Sequence, residues 1–541
     1  MASPGDAKAA SDNSPAMTRL PMVSKKSTVY GIALFTGLCA AAFYFFVPFF
    51  PFGYDSVNYV EQARSFMARG VFETIPITLE APANVSVPDN LFPPGYALLI
   101  ILAGKLLFIP PAVAAPLLSL AALGLLPAVI VFAFHRVIGL WPALWIALLV
   151  TLNPTTVFFG SIAYTDTLSL LLVIFSVNRL LLINPKVSSW FCLGLLTGFS
   201  YLLRNANLAL LISMFLYLSW SMIVEPENRK TILKNTGVWL AGNAAFIVPL
   251  FSYNFSVFGK IQPYAMPPST VGLGENIHDY MFSQVNTLLA FSEFERLLDN
   301  VAGMLFLLGA VAVLLYQALA TWPQWQKIER QAFLISAAYA ALGAAITIAA
   351  RTKYQWGVHI EPRYALPYAC FVFVALGIIF KYSPLRIHAW YLAPGLIVAL
   401  LLFRIHGLQK DLEQHRDNPY DQRVASVAGQ LKTRPDALCS QLNGRVALSN
   451  LHYVYRIVCA APVKEAFPAL EQNQFSDESL KKWADLGAKK GIVVSWFPIG
   501  KESDSLPLRQ DYLTRLNALG WRVERNEKEN VILSRQANSS L

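Results

Sequence analysis

Charge is what this chain has least of: Lys, Arg, Asp and Glu together fill 14% of its 541 positions. A soluble domain carries about a quarter of its residues charged, so an ordinary water-soluble globule is excluded. Cysteine is scarce as well, at five residues, which excludes a scaffold held together by a disulfide framework. Cys39, Cys192 and Cys370 lie in apolar runs and read as small core residues. Cys439 and Cys459 lie in a more polar tail, where an oxidising compartment would allow them to pair. No HExxH, CxxC, GxGxxG or P-loop pattern occurs, which removes the usual support for zinc hydrolysis and nucleotide chemistry. Internal repeats are missing too.

The formal net charge of +10 does not point to nucleic acid. The basic residues sit in short loops and in the C-terminal tail, where membrane topology places them. They are not interleaved with aromatics on a soluble face, as a nucleic-acid surface would require.

What is present is apolar. Hydrophobic residues make up 55% of the sequence and the mean hydropathy is +0.45. Runs near the roughly 20 residues needed to cross a bilayer recur from Thr28 to Arg404. The first starts late and has no small-residue cleavage site, so it reads as an anchor rather than a secretory signal. These runs predict a polytopic, all-α membrane protein with about eleven spans: 28–49, 112–135, 140–158, 163–183, 188–203, 206–224, 232–251, 298–317, 332–350, 364–381 and 388–404. The run 95–109, between Pro93-Pro94 and Pro110-Pro111, is too short to cross and reads as a juxtamembrane helix within an outer loop, 50–111.

Sidedness follows from charge. The tail 1–27, disordered by composition, carries Lys8, Arg19, Lys25 and Lys26 and belongs in the cytoplasm. With 95–109 kept out of the count, Arg136, Arg179, Arg229, Lys230, Lys327 and Arg386 also fall inside. Asp55 and the whole of 405–541 then lie outside the cytoplasmic membrane. In that tail the apolar runs shrink to strand length, as in 445–450, 491–496 and 530–534, with helix-like stretches at 477–489 and 508–519. This predicts a small α/β domain, for which a packing or lid role needs no chemistry.

The unusual polar residues gather on the outer side. Asp55 and Glu61 lie in PFGYDSVNYVEQARSFMARGVF (51–72), Asp166 in GSIAYTDTLSL, and Arg204 in YLLRNANLAL. Lys353, His359, Glu361, Arg363 and Tyr364 lie in RTKYQWGVHIEPRYALP. Two acids and several cations on one surface suit an anionic, hydroxyl-bearing substrate. Plainer roles are open to each. Asp55 could cap its helix, Asp166 could pair with Arg204 as charge compensation, and Arg204 could snorkel. Glu61, Arg64 and Arg69 could form a solvated helix face. A transporter or lipid flippase is the alternative class, although charges at the outer edge and the lack of duplicated halves do not suit it.

The ordered set YDSVNYVEQAR, LFPPGYALL (91–99), NPTTVFFGSIAYTDTLSLLLV (153–173), LLRNANL (202–208) and EPRYALP (361–367) resembles the GT-C superfamily of membrane glycosyltransferases. It is most similar to the branch related to the protein O-mannosyltransferases and the lipid A aminoarabinose transferases. The resemblance spans about residues 28–405. It implies an inverting transfer of a sugar from a polyprenyl-phosphate donor to a hydroxyl of a glycolipid, polysaccharide or protein, on the outer face of the cytoplasmic (inner) membrane. Asp55 matches the catalytic acidic residue by position and Asp166 the second one. Phe92 and Tyr164 stand where several members carry Lys and Arg. Donor phosphate is therefore expected to meet Arg204, Arg363, His359 and Lys353, with Tyr54, Glu61, Glu361 and Tyr364 completing the substrate-binding set. No resident cofactor is assigned. A divalent cation, Mg or Mn, shared by Asp55 and Asp166 is left open.

Overall fold

The computed structural model describes residues 25–75, 86–183, 186–264, 266–289, 301–355, 359–382, 386–433, 439, 446–449, 451–460, 463–465, 492–495, 513–515, 517–526 and 530–535. The predicted N-terminal tail and the helix at 477–489 lie outside them.

Helices dominate. In chain order they are α1 (Lys25–Ala42), α2 (Tyr54–Arg69), α3 (Gly95–Leu107), α4 (Pro111–Ile138), α5 (Leu140–Thr151) and α6 (Pro154–Ser161). There follow α7 (Asp166–Leu181), α8 (Val187–Leu203), α9 (Leu208–Val224), α10 (Arg229–Phe258) and α11 (Leu273–Leu289). The last are α12 (Val301–Thr321), α13 (Lys327–Lys353), α14 (Pro362–Tyr382), α15 (Arg386–Asp417), α16 (Pro419–Thr433) and α17 (His452–Val458).

Among the described residues, six helices are long and apolar enough to cross a membrane: Lys25–Phe46, Pro111–Ile138, Asn205–Val224, Pro226–Phe258, Lys327–Lys353 and Pro362–Tyr382. The predicted span 140–158 is a bent pair, α5 and α6, meeting at 64°, which would make a seventh. Asn153 and Pro154 cause the bend, since the Asn153 side chain caps α6 by accepting from the Thr155 N–H at 2.9 Å. The remaining predicted spans also fall on helices, but α7 and α8 have only 16 and 17 residues. α7 begins at a polar turn, Thr165–Asp166, and α8 ends at another, Arg204–Asn205. The short run 95–109 is the 13-residue α3.

Small residues let the helices approach. A Cβ on Gly194 of α8 would stand 2.2 Å from the Trp239 carbonyl oxygen of α10, so no larger residue fits there. Beside it Thr197 donates to Asn243 Oδ1 at 2.8 Å and accepts from Trp239 Nε1 at 3.1 Å. These bonds satisfy polar groups that lipid could not.

The C-terminal part carries a five-stranded mixed sheet. Its strands are β3 (Val446–Ser449), β4 (Val463–Glu465), β5 (Ile492–Ser495), β6 (Trp521–Asn526) and β7 (Asn530–Arg535), in the order β4-β3-β5-β7-β6. Two short strands, β1 (Glu73–Thr74) and β2 (Val87–Pro88), pair antiparallel between α2 and α3. β3 runs parallel to β4 and β5, while β7 is antiparallel to β5 and β6. Three of the strands coincide with the runs predicted at 445–450, 491–496 and 530–534. Cys439 and Cys459 are joined by a disulfide.

One apolar cluster fastens this part to the membrane domain. Val57 and Val60 of α2 and Ala97 and Ile100 of α3 pack with Val424 and Val427 of α16 and Val454 and Ile457 of α17. Burying each Val or Ile side chain contributes about 1.5–3 kcal/mol. Of the three residues expected on a solvated face of α2, Glu61 and Arg64 lie at this interface, while Arg69 is half exposed and pairs with Glu73. Glu61 is buried and receives the Arg456 guanidinium on both oxygens, Nε to Oε1 at 2.7 Å. Arg64 donates to the carbonyls of Arg456 and Ile457 at 2.8 and 2.7 Å. The sequence pattern alone could not separate a salt-bridged interface from a wet surface, because both are polar.

Candidate active site

Helix α2 starts where the chain can turn sharply. The N-cap is Gly53, whose N–H donates to Ser56 Oγ at 3.0 Å. A Cβ there would lie 2.4 Å from the Tyr164 hydroxyl, so glycine is needed for this approach. Capping thus belongs to Gly53 and Ser56, and Asp55 stands in the first turn with its carboxylate left out of the cap. Its position also favours the positive end of the helix dipole.

Two arginine–carboxylate pairs lie side by side. Arg363, in the first turn of α14, donates through Nη1 to Asp55 Oδ2 at 3.0 Å. Its Nε lies 2.8 Å from Glu361 Oε2, and Nη2 donates to the Tyr364 hydroxyl at 2.8 Å. Arg204, at the break between α8 and α9, pairs with the buried Asp166 at the start of α7. The Tyr364 ring links the pairs, with the Arg363 and Arg204 guanidinium carbons 4.8 and 5.6 Å from its centroid. Arg363 also covers the rings of Phe159 and Tyr164, at 5.4 and 5.3 Å.

A cavity of about 390 Å³ opens onto this group. Of the predicted site residues, Tyr54, Asp55, Glu361 and Arg363 line it. Asp166, Arg204 and Tyr364 stand behind them. The others are elsewhere: Glu61 is bound to Arg456, His359 lies 3.4 Å from Asp279 with its side chain 75% exposed, and Lys353 rests on the Tyr354 ring. Arg363 thus lines the cavity while paired with Asp55 and Glu361, and Arg204 is paired with Asp166 behind it.

The far wall was not read from sequence. Phe49, Phe158, Phe159 and Tyr453 supply aromatic faces, and His415 and Asp421, from α15 and α16, supply polar groups. His415 stacks on Phe158, with centroids 5.6 Å apart and planes at 9°. Its Nδ1 lies 2.8 Å from Asp421 Oδ2. That hydrogen bond, with further help from Asp411, raises the His415 pKa above its ordinary 6.5 against the opposing effect of burial. The raised value means this pair stabilises the fold fully below pH ~6.5 and loses its contribution as pH climbs through the folded-state pKa. The available signal was the charged run KDLEQHRDNPYD (410–421), whose Asp411 and His415 share one helix face by their spacing.

A shared divalent cation does not fit Asp55 and Asp166. Each carboxylate is already engaged by a guanidinium, and no group of three or more His, Cys, Asp or Glu suited to a metal occurs among the described residues.

The sequence matches no family model and no curated relative. Solved structures do resemble it. ArnT from Cupriavidus metallidurans, bound to undecaprenyl phosphate, superposes with a TM-score of 0.56 at 12% identity, over 94% of this chain and 97% of that one. The Archaeoglobus fulgidus oligosaccharyltransferase, in complex with Zn and sulfate, gives 0.54 at 14% identity, over 86% and 68%. The same archaeal enzyme, AglB, with an inhibitory peptide and a dolichol-phosphate gives 0.52 at 12% identity, over 87% and 69%. Both are GT-C enzymes, and this chain has the fold they share.

If Arg363 meets donor phosphate, lysine will not replace it, because an ammonium cannot reproduce the planar fork. Arg363→Lys is expected to weaken donor affinity about ten- to hundredfold, from about 1.5–3 kcal/mol for one charge-assisted contact. Donor titration in membranes with unchanged protein level measures it, and unaltered donor dependence would take Arg363 out of this role.

Proposed function

We propose that this protein is an inverting glycosyltransferase that moves a sugar from a polyprenyl-phosphate donor to an acceptor hydroxyl at the outer face of the cytoplasmic membrane. The observation that carries the proposal is the Asp55–Arg363 pair at the mouth of the 390 Å³ cavity, on a fold shared with lipid-phosphate-dependent enzymes. Asp55 takes the proton of the acceptor hydroxyl as its oxygen attacks the anomeric carbon from the face opposite the phosphate. The new carbon–oxygen bond forms as the bond to phosphate oxygen breaks, and the polyprenyl phosphate leaves with the electron pair. Arg363 bears the growing phosphate charge; Asp166, through Arg204 and Tyr364, fixes the position of Arg363. Holding donor and acceptor in line supplies much of the rate.

The reading includes eleven spans and an outer C-terminal domain. A flippase would place its charges along a pathway through the bilayer, whereas Asp55, Asp166, Arg204 and Arg363 share one end of the bundle. Comparison of envelope glycans by mass between a deletion strain and its parent tests the activity: one missing sugar residue is expected, and its mass identifies the donor. Unchanged glycans would count against transfer.

Sidedness is tested separately, with Cys39, Cys192 and Cys370 replaced by Ser. In intact spheroplasts an impermeant thiol reagent is expected to label Gln422→Cys and to spare Lys230→Cys. The opposite pattern would put the cavity in the cytoplasm and end the outer-face proposal.

A further inference from the structure

The cavity has two polar poles joined by aromatic walls. At one stand Asp55, Glu361 and Arg363; at the other stand His415 and Asp421. The second pole is built, not incidental. His415 is only 15% exposed and lies among Phe158, Phe49 and Tyr44, with its ring stacked on the first and edge-on to the others. Behind it, Nε2 lies 3.7 Å from Asp411, which accepts from the Tyr44 hydroxyl. Tying α1 to α15 explains Tyr44 and Asp411. It does not explain why His415 and Asp421 line the cavity that Asp55 lines.

We propose that His415 and Asp421, with the rings of Phe49, Phe158 and Tyr453, form a subsite for an uncharged sugar ring, so that the acceptor presented to Asp55 is a carbohydrate. This rests on the glycosyl-transfer reading and deepens it. The Asp421 carboxylate accepts hydrogen bonds from hydroxyls, and His415, bonded to its Oδ2 through Nδ1, holds it at the cavity wall. Flat aromatic faces suit the C–H faces of a pyranose or furanose, in a lining that is mainly apolar with few polar groups. Anionic rings are disfavoured there, because Asp55, Glu361 and Asp421 outnumber Arg363 and His415 around the cavity. A serine or threonine side chain could use the hydroxyl contacts but leaves the aromatic wall uncovered.

The test is saturation-transfer NMR on the full chain in nanodiscs, with methyl α-mannopyranoside, methyl β-galactopyranoside and methyl α-arabinofuranoside as probes and N-acetylserine amide as the peptide-like control. At least one glycoside is expected to show saturated ring protons, and the serine amide none. Asp421→Asn and His415→Ala should each lower the signal at least tenfold, since a hydrogen bond to a charged group, or the residue that orients that group, is lost. Tyr44→Phe removes the bond behind the subsite without touching the cavity, and should retain the signal. Saturation by the serine amide alone, no saturation by any glycoside, or an equal loss in Tyr44→Phe would overturn the subsite. Because the probes need no transfer, the outcomes separate: glycoside binding with no sugar missing from the deletion strain would overturn the transferase reading alone.

Discussion

Asp55→Asn is expected to lower turnover by about 10²–10⁴-fold, the range a positioned general base contributes. Asparagine keeps the size and the place in the first turn of α2, but it cannot take the acceptor's proton. It also leaves Arg363 with Glu361 as its remaining carboxylate contact. Helix stability should hardly change, since the N-cap bond is made by Gly53 and Ser56. Initial-rate measurements in membranes, normalised to protein level, make the comparison. Turnover near that of the parent would remove Asp55 from the base role, and the donor and acceptor would have to be activated in another way.

How far the sequence could be read follows from the kind of signal each part carries. Hydrophobic run length marks helices directly, so the predicted spans fall on helices, with 140–158 divided between two, and three strands of the tail were visible as short apolar runs. Two others, Val463–Glu465 and Trp521–Asn526, were not, because VKE and WRVERN carry too much charge to resemble buried strands. Asp55, Asp166, Arg204 and Arg363 were conspicuous because charge at a membrane edge is costly. What residue type could not give is pairing. That Arg363 takes Asp55 while Arg204 takes Asp166 depends on how α2, α7, α8 and α14 converge. For the same reason Glu61 was misplaced: its partner, Arg456, lies 395 residues away. His415 and Asp421 were passed over because a charged stretch after the last apolar run resembles any solvated linker.

Pairing of this kind has a cost that couples α2 to the C-terminal part of the chain. The Glu61–Arg456 bridge sits between α2, which carries Asp55, and α17, with Arg456 fully buried. Removing one partner of a buried pair costs about 3–5 kcal/mol, because the other charge stays behind without compensation. Arg456→Met should therefore loosen the joint between α17 and α2, leaving the Glu61 carboxylate with the Ile75 N–H at 2.9 Å as a donor. Glu61→Gln with Arg456→Met should recover most of the loss, since neither charge is then buried. Hydrogen exchange over residues 54–69 and 451–458 measures the joint. Fast exchange there in the single variant, protection in the double variant, and little change in α4 are expected. Equal protection in all three would mean that the apolar contacts of Val57, Val60, Val454 and Ile457 hold the joint unaided. Acid should act at the same place. Burial, then Arg456, pushes the neighbouring His452 down to about 3, below its unfolded 6.5, so the unfolded chain takes up a proton that the folded one refuses. Stability at this joint falls as pH drops from about 6.5 towards 3. His452→Phe, which keeps an aromatic ring against Tyr54 at the present 5.3 Å contact, should flatten the upper part of that fall, above the range where carboxylates titrate. An unchanged pH dependence in that variant would assign the acid sensitivity to other groups.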